Sequence, residues 1–266
     1  MEHKVPATVG VLTYNSGKTL DRCLSSIKNF ADIIICDGGS TDETISIAKK
    51  YGARVITQDI AYKNKDGTIA DFSGVRNQLL TSAHYDWFFF VDSDEYISND
   101  LVKEIQSIVE SGTPEVLAYW VPRKRIYKNK VVECSTTYPN YQMRLFHKNS
   151  VIGFIKAVHE RIQTKPNIKK AKTQHVQYVP FEYTKTEWRE KLLYYLNIEV
   201  ARHSDQKIFN WVRHILLNTV KLHILYTLRL ARLLLFCRGH KMPLWYETMQ
   251  FWYHRTLAWK TLKKYL

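Results

Sequence analysis

Short apolar runs alternate with amphipathic segments through the first half of the chain. Apolar runs bounded by polar turns are typical of buried strands, whereas an apolar period of about 3.6 residues is typical of helices. The runs predict strands at residues 7–13, 31–36, 53–57 and 86–92. The periods predict helices at residues 18–29, 41–51 and 70–83, with Ser40 and Thr41 before Glu43 as capping residues of the second. This alternation predicts an α/β fold, with a mostly parallel sheet, helices on both faces and a ligand crevice at the carboxyl ends of the strands.

The pattern changes after residue 114. Shorter strands are predicted at residues 117–127, 141–148 and 151–155, as a mixed sheet appended to the parallel one. From residue 184 onward the period is helical, with helices predicted at 186–203, 206–236 and 244–265 and Pro243 as the break before the last. We therefore divide the chain into residues 1–114, 115–183 and 184–266.

The predicted helix at 206–236 is amphipathic with a wide apolar face. At about 100° per residue its polar side chains share one stripe: Asn210, His214, Asn218, Lys221, Arg229 and Arg232. Cations interrupt every window of roughly 18 residues, so the helix is not expected to cross a membrane. Two interpretations stay open. The helix lies on an anionic membrane surface, or it packs its apolar face on the catalytic core or on a second subunit.

Charge is divided unevenly along the chain. Residues 1–120 carry 11 Lys and Arg against 17 Asp and Glu, while residues 121–266 carry 28 against 8. A basic half of this size indicates an anionic partner, such as a phosphorylated nucleotide, a membrane surface or a nucleic acid. The four cysteines are scattered without a paired spacing, which favours a reduced compartment. Because few residues precede the first predicted strand, we expect no secretory leader and a cytoplasmic location.

Polar clusters follow three of the predicted strands and are expected to meet at one edge of the sheet. They are Thr13-Tyr14-Asn15, the run from Asp37 to Asp42, and Asp92-Ser93-Asp94-Glu95. In the last cluster a wholly apolar strand runs directly into three carboxylates, whose repulsion has to be compensated. A divalent cation such as Mg²⁺ or Mn²⁺ would do so. A helix cap by Ser98 or Asp100 before residues 101–111 explains neither Asp92 nor Asp94.

These motifs resemble a family 2 inverting glycosyltransferase, of the subgroup that includes lipopolysaccharide-core β-glucosyltransferases. The resemblance rests on VGVLTYNSGKTLDRCLSSI, IIICDGGSTDET, DFSGVRNQLL and WFFFVDSDE, which occur in the family's order, and more weakly on YPNYQMRLFHK and VHE. It implies a GT-A-like fold, a UDP-sugar donor bound by residues 1–114, and an acceptor side in residues 115–183. The donor-site residues it implies are Thr13, Tyr14, Asn15, Asp37, Arg76, Asn77, Asp92, Ser93 and Asp94. Of these, Asp37 would take the uracil or ribose, Arg76 and Asn77 the diphosphate or donor sugar, and Asp92 with Asp94 the metal and the ribose–phosphate.

An inverting displacement also needs a general base for the acceptor proton. The resemblance implies Glu160 in that role, and His159 beside it as a metal ligand together with Asp94. Glu95 is the rival base, but a cation bound nearby would lower its pKa and weaken it. For Arg144, contact with a phosphate and a protective role on an edge strand are both open. The run Arg123-Lys124-Arg125 is expected to be a solvated basic face.

The function predicted from these residues is metal-dependent transfer of a hexose or N-acetylhexosamine from a UDP-sugar to a cell-envelope saccharide, such as lipopolysaccharide core. A polyprenyl phosphate or a protein side chain is the alternative acceptor. A nucleic-acid-binding protein is the alternative from a different class. It lacks a recognisable reading motif and leaves the acidic cluster unexplained, so we expect no nucleic-acid partner. Attachment to the inner face of the cell membrane and a homo-oligomer are left open.

Overall fold

The structure is a computed structural model that describes residues 3–65, 67–112, 115–156, 160–202 and 207–263. Its strands are β1 (Val5–Thr13), β2 (Phe30–Asp37), β3 (Arg54–Thr57), β4 (Trp87–Asp92), β5 (Tyr96–Ile97), β6 (Ala118–Tyr127), β7 (Lys130–Val131), β8 (Tyr141–His147), β9 (Val151–Ile155), β10 (Arg161–Thr164), β11 (Lys170–Lys172) and β12 (Gln177–Pro180). Its helices are α1 (Gly17–Ile27), α2 (Thr44–Lys50), α3 (Phe72–Thr81), α4 (Asn99–Val109), α5 (Lys185–Arg202), α6 (Ile208–Trp211), α7 (Leu217–Phe236) and α8 (Leu244–Leu262). A π-helical turn, Val212–Leu216, joins α6 to α7.

The main sheet has the strand order β3-β2-β1-β4-β8-β6. The first four strands run parallel. Strand β8 is antiparallel to both β4 and β6, so the sheet becomes mixed where the later segments join it. The prediction of an α/β, GT-A-like fold with a mostly parallel sheet, an appended mixed part and C-terminal helices is confirmed.

Strand β4 is buried on both faces, as its apolar run predicts. Phe89 and Val91 belong to a core shared with α1, α2 and α4, whereas Phe88 and Phe90 belong to the core shared with α3. Successive side chains of a strand point to opposite faces, so helices must cover both sides of the sheet. The layered arrangement follows directly from this one strand.

Helix α2 begins later than predicted. Ser40 and Thr41 do not cap it, because the Ser40 hydroxyl donates to Asp37 and the Thr41 amide donates to Asn15. The residue preceding the helix is Glu43, which makes no capping bond with its side chain. In contrast, Ser98 does cap α4, with its hydroxyl accepting from the Leu101 amide at 3.1 Å.

Buried polar side chains tie the parallel strands together near their amino ends. The Asp32 carboxylate on β2 accepts from the Thr8 hydroxyl on β1 at 2.8 Å, and from Arg54 on β3 at 2.8 and 2.9 Å. It also accepts from the His84 amide at 3.2 Å. Burial raises the pKa of Asp32, but these hydrogen bonds and the Arg54 charge outweigh it and hold the pKa below its ordinary value.

The described chain divides into two compact units. The first consists of residues 1–124 and 139–180, and the second of residues 125–138 and 181–266. The second unit has a small core of its own around Val132, Phe181, Met242 and Tyr246. The predicted division into 1–114, 115–183 and 184–266 stays a prediction.

The second unit holds a disulfide that the sequence analysis did not expect. Cys134 and Cys237, which are 103 residues apart, are joined, while Cys23 and Cys36 are free and buried. Scattered spacing gave no sign of the pairing because the fold, not the local sequence, brings the two cysteines together. The expectation that all four cysteines are reduced is therefore wrong for this pair.

The C-terminal helices pack on one another through aromatic and polar contacts. The Tyr253 hydroxyl on α8 donates to Glu199 on α5 at 2.6 Å, and the Phe251 ring on α8 contacts His223 and Tyr226 on α7. Arg229, part of the predicted polar stripe, donates to the Thr136 carbonyl at 3.1 Å. Among the described residues, no helix is both long and apolar enough to span a membrane.

We expect the substitution Asp32→Asn to lower the free energy of unfolding by about 2 kcal/mol at pH 7, because charged hydrogen bonds to a buried carboxylate are lost. Urea denaturation measures this. Because the folded pKa of Asp32 is lowered, its stabilisation is complete above the unfolded pKa of about 3.9 and lost as pH falls through the folded value. The difference between wild type and variant should therefore shrink from about pH 5 downward.

The matched control is Asp21→Asn, which removes an exposed pair with Lys50 and should change stability much less than Asp32→Asn does. Equal losses for both variants, or a difference that grows as pH falls, would contradict the role given to Asp32.

Candidate active site

The loops that follow β1 and β2 are joined by side-chain hydrogen bonds. The Thr13 hydroxyl donates to Asp37 at 2.7 Å. The Asn15 amide donates to the Ser40 hydroxyl at 2.8 Å, and the Asn15 side chain accepts from the Thr41 amide at 2.9 Å. Asn15 adopts a φ of 47°, in the left-handed region that asparagine tolerates better than most residues. The sequence prediction that these clusters meet at one edge is confirmed.

The third cluster joins them through Ser93. The hydroxyls of Ser16 and Ser93 lie 3.0 Å apart, which connects the turn after β4 to the loop after β1. The Tyr14 ring is 64 % exposed and lies against Gly38, where an added Cβ would meet the tyrosine at 3.1 Å. Two residues that were not predicted from the sequence donate hydrogen bonds to backbone carbonyls at this edge of the sheet. Gln58 donates to the Cys36 carbonyl at 3.2 Å, and Lys63 donates to the Gly38 carbonyl at 2.8 Å.

The Asp37 carboxylate is buried and closes the turn after β2. One oxygen accepts from the hydroxyls of Thr13 and Ser40, and the other from the amides of Gly39 and Ser40. Burial raises its pKa, but these hydrogen bonds outweigh burial and keep the pKa of Asp37 below its ordinary value. Asp37 is therefore ionised at neutral pH. Its role toward uracil or ribose stays a prediction.

Asp92, at the end of β4, is held by two arginines. One oxygen accepts from Arg76 on α3 at 2.7 Å, and the other accepts from Arg144 on β8 at 2.9 Å. Burial opposes its charge, but the guanidinium groups of Arg144 and Arg76 outweigh burial and hold the pKa of Asp92 well below its usual range. Both guanidiniums also lie on the Phe90 ring, at 4.6 Å for Arg76 and 4.3 Å for Arg144.

Glu95 is almost fully buried and anchors the other side of Arg144. It accepts from Arg144 at 2.9 Å, and it also accepts from Arg123 on β6 and from Gln177 on β12. Burial raises the pKa of Glu95 against the opposing charges of Arg144 and Arg123. Glu95 is unsuited to act as a base because it is buried and its oxygens already accept from three side chains.

One of the two alternatives left open for Arg144 is excluded, and the expectation for the run Arg123-Lys124-Arg125 is wrong. Arg144 is fully buried on a strand between β4 and β6, so it does not protect a sheet edge. Arg123 pairs with Glu95, and Arg125 lies over the Tyr246 ring at 5.1 Å, so neither belongs to a solvated face. For Arg144 the sequence signal was a charge alternating with apolar neighbours, which marks the inward face of a strand as well as the outward one, whereas the run Arg123-Lys124-Arg125 carries no such signal.

Arg76 connects Asp92 to Glu160. It is 5 % exposed, and its Nε donates to a Glu160 oxygen at 2.7 Å while its Nη2 donates to Asp92. The Arg76 guanidinium thus bridges Glu160 and Asp92 at the end of β4, although the two carboxylates are 68 positions apart in the sequence. Its neighbour His159, predicted as a metal ligand, lies outside the described residues.

Asn77, the residue after Arg76, contacts the backbone of β9 instead of facing the cluster. Its amide donates to the Phe154 carbonyl at 2.9 Å and accepts from the Phe154 amide at 2.8 Å. Gly153, with a φ of 146°, allows this approach, since a Cβ there would lie 2.8 Å from the Asn77 oxygen. Asn77 orients β9 beside Glu160, and its contact with a donor stays a prediction.

Asp94 is exposed, in the turn between β4 and β5. The described residues contain no cluster of three or more His, Cys, Asp or Glu side chains arranged to hold a metal. Because both oxygens of Asp92 accept from arginines, the carboxylate suited to a cation is that of Asp94. A single exposed carboxylate fits Mg²⁺ or Mn²⁺ that takes its other ligands from a diphosphate and water.

We expect Arg144→Leu to lower the free energy of unfolding by about 3 kcal/mol, because a buried ion pair is broken. The loss lies at the lower end of the range for buried ion pairs because Arg123 and Arg76 remain beside the carboxylates. Urea denaturation measures the loss. Arg161→Leu, which replaces an exposed arginine on β10, is the control and should cost less than about 0.5 kcal/mol. A loss at Arg144 no larger than at Arg161 would show that the buried network does not stabilise the fold.

Residues 8–161 match the family described as Glycosyl transferase family 2. A TPR repeat-containing protein of Synechococcus elongatus is 31 % identical over 153 residues, which cover 57 % of this chain and 34 % of that protein. The SPbeta prophage-derived glycosyltransferase SunS of Bacillus subtilis is 35 % identical over 94 residues, covering 35 % of this chain and 21 % of SunS. The matches thus span about a fifth to a third of these two relatives.

Among solved structures, S. aureus TarS 1–349 in complex with UDP is similar with a TM-score of 0.47 and 17 % identity. The alignment covers 70 % of this chain and 62 % of that one.

Proposed function

Because the chain belongs to glycosyl transferase family 2, we propose that this glycosyltransferase moves a hexose or N-acetylhexosamine from a UDP-sugar to a saccharide of the cell envelope, with inversion. The observation that carries the proposal is the chain of contacts from Asp92 through Arg76 to Glu160. It joins a carboxylate at the carboxyl end of a parallel strand, where ligands of such sheets bind, to a second carboxylate on a different segment. A donor site and an acceptor base need this kind of proximity.

The donor would lie along the joined loops after β1, β2 and β4. The exposed Tyr14 ring offers a face for the uracil, with Thr13, Asn15 and Asp37 at its side. Ser93 lies beside the phosphates in this proposal. Arg76 Nη1 is a buried donor without a hydrogen-bond partner among the described residues. A diphosphate oxygen would satisfy this donor, since buried N–H groups are seldom left unpaired.

Charge develops on the diphosphate as its bond to the sugar breaks. A cation held by Asp94, with His159 as a further ligand, would neutralise that charge as a Lewis acid. Arg76 and Arg144 keep Asp92 ionised and in place, so the site retains a fixed electrostatic environment while the charge moves. The contacts support this division of work, because Asp92 is bound by arginines and Asp94 is exposed.

Glu160 would accept the proton of the attacking hydroxyl. Arg76 binds its Oε1 atom, which orients the carboxylate and leaves Oε2 for the acceptor. The Glu160 side chain is 17 % exposed, so an acceptor can approach it, whereas Glu95 is 2 % exposed. Position and access therefore favour Glu160 as the base.

For the acceptor, the resemblance to the lipopolysaccharide-core subgroup favours an envelope saccharide over a polyprenyl phosphate or a protein side chain. We propose a cytoplasmic enzyme that works at the inner face of the cell membrane, where envelope precursors are built. Assays with the three acceptor classes separate these alternatives, because only the correct class should accelerate UDP release over hydrolysis of the donor.

We expect wild-type protein to release UDP from at least one UDP-sugar in the presence of Mn²⁺ or Mg²⁺, and Asp94→Asn to lower kcat/KM by about 100-fold or more, since charge stabilisation at the leaving group is lost. Calorimetry of UDP binding with and without Mn²⁺ gives a second measure. The control is Asp100→Asn, an exposed aspartate on α4. Unchanged turnover and metal dependence in Asp94→Asn would refute the metal site.

We expect Glu160→Gln to lower kcat by about 10²- to 10⁴-fold with little change in UDP affinity, because general-base catalysis is removed while the hydrogen bond to Arg76 is kept. Steady-state kinetics at saturating donor, with UDP binding measured separately, test this. Glu43→Gln alters an exposed glutamate before α2 and should leave kcat unchanged. A normal kcat in the Glu160→Gln enzyme would show that another group acts as the base.

A further inference from the structure

Helix α7 turns an apolar stripe toward solvent. Leu217, Ile224, Leu228 and Leu235 recur at helical spacing and lie within a narrow arc at about 100° per residue. Their exposed fractions are 58 %, 59 %, 64 % and 74 %. Large apolar side chains nearby in α6 and α7 are exposed as well, namely Ile208, Phe209, Val220, Leu225, Leu234 and Phe236. We refer to Leu217, Ile224, Leu228 and Leu235 together as the α7 stripe.

The stripe is not the face by which α7 packs in its own unit. That contact is made from the other side, where Leu233 is buried and Tyr226 lies against the Phe251 and His254 rings of α8. Arg229 is also turned to that side, toward the Thr136 carbonyl. The helix is therefore anchored by one face while the opposite apolar face is uncovered. A continuous exposed patch of this kind marks an interaction surface.

Cations border the stripe along one edge, and acidic groups are almost missing from residues 207–263. Lys221 and Arg232 are exposed and lie about 40° and 60° from the centre of the stripe. Residues 207–263 contain ten Lys and Arg and one acidic residue, Glu247. Glu247 is buried, where it accepts from the Thr136 amide at 2.9 Å. This surface is an apolar stripe with a basic edge. A partner that fits it has an apolar interior covered by an anionic outer layer.

We propose that the α7 stripe docks on an anionic membrane surface, with α7 lying in the plane of the interface. Leu217, Ile224, Leu228 and Leu235 enter the boundary between headgroups and acyl chains, and Lys221 and Arg232 extend to lipid phosphates. Because no described helix is long and apolar enough to span a bilayer, the helix lies on the surface. The inference goes beyond the proposed reaction, since it assigns a surface and a ligand to a helix that carries none of the reacting groups.

A second copy of the chain fits this surface less well. In a two-fold interface with antiparallel α7 helices the basic edges of the two copies coincide, so the Lys221 and Arg232 side chains of both copies would lie close together. The exposed acidic side chains needed to offset them are lacking among residues 207–263. Like charges placed opposite each other oppose association, whereas anionic lipid offsets the same cations.

The test is flotation of the full chain with vesicles of phosphatidylcholine alone and with about 30 % phosphatidylglycerol, at low and high salt. We expect binding to the anionic vesicles that weakens as salt rises. Lys221→Gln with Arg232→Gln should lower partitioning about 30-fold, from about 1 kcal/mol for each cation. Leu228→Gln with Leu235→Gln should lower it at least tenfold, because apolar burial is lost.

Two control variants match these changes. Lys28→Gln with Lys49→Gln removes the same charge from exposed positions in the first unit, and Thr227→Gln alters an exposed position of α7 outside the stripe. Both controls should bind as wild type does. Far-ultraviolet circular dichroism and UDP turnover without vesicles check that each variant is folded, and they do not depend on docking.

Equal binding to neutral and anionic vesicles, absence of binding, or equal losses in the stripe and control variants would each overturn the proposal. So would a stable dimer in analytical ultracentrifugation that Leu228→Gln with Leu235→Gln dissociates, since a second copy would then cover the stripe. A chain that floats normally but turns over no UDP-sugar would refute the proposed reaction and leave this inference standing.

Discussion

The structure depends on how the carboxylates at the end of β4 are compensated. Asp92 and Glu95 follow a strand whose apolar side chains are buried on both faces, and Glu95 itself is almost fully enclosed. An uncompensated carboxylate in such a position would cost several kcal/mol. Three arginines offset the charge, and they come from α3, β6 and β8. The buried network therefore requires the chain to bring segments together that are far apart in sequence.

This requirement explains why the later strands belong to the same compact unit as the parallel sheet. Strand β8 pairs with β4 and delivers Arg144, β6 pairs with β8 and delivers Arg123, and β12 delivers Gln177 to Glu95. Arg76 then extends the network to Glu160. Because the arginines bind both oxygens of Asp92, that carboxylate is occupied within the protein, whereas Asp94 is exposed and Glu160 is partly exposed.

The second unit is organised by different forces. Aromatic rings around Phe181 and Tyr246, a disulfide between Cys134 and Cys237, and a buried glutamate bound to Thr136 hold its parts together. Residues 207–263 contain ten Lys and Arg and one acidic residue, Glu247. Because Glu247 is buried, no acidic side chain of this segment offsets the cations at the surface. Because α7 is anchored through Tyr226, Arg229 and Leu233, its opposite face exposes an apolar stripe beside surface cations.

The amino-acid sequence by itself determined the order of the longer strands and helices, because the apolar periods of 2 and 3.6 residues are local properties, whereas the short strands β5, β7, β10, β11 and β12 were not predicted. It also determined that the polar clusters after β1, β2 and β4 meet, since parallel strands end at one edge. Charge partners could not be assigned in this way. Arg144 alternates with apolar neighbours and Arg123 begins a run of three cations, patterns that occur both at water and at a buried carboxylate, and only the pairing of β4, β8 and β6 decided between the two. The Cys134–Cys237 bond, the contact between Arg76 and Glu160, and the outward orientation of the α7 stripe likewise depend on contacts between distant segments, which only the tertiary structure creates.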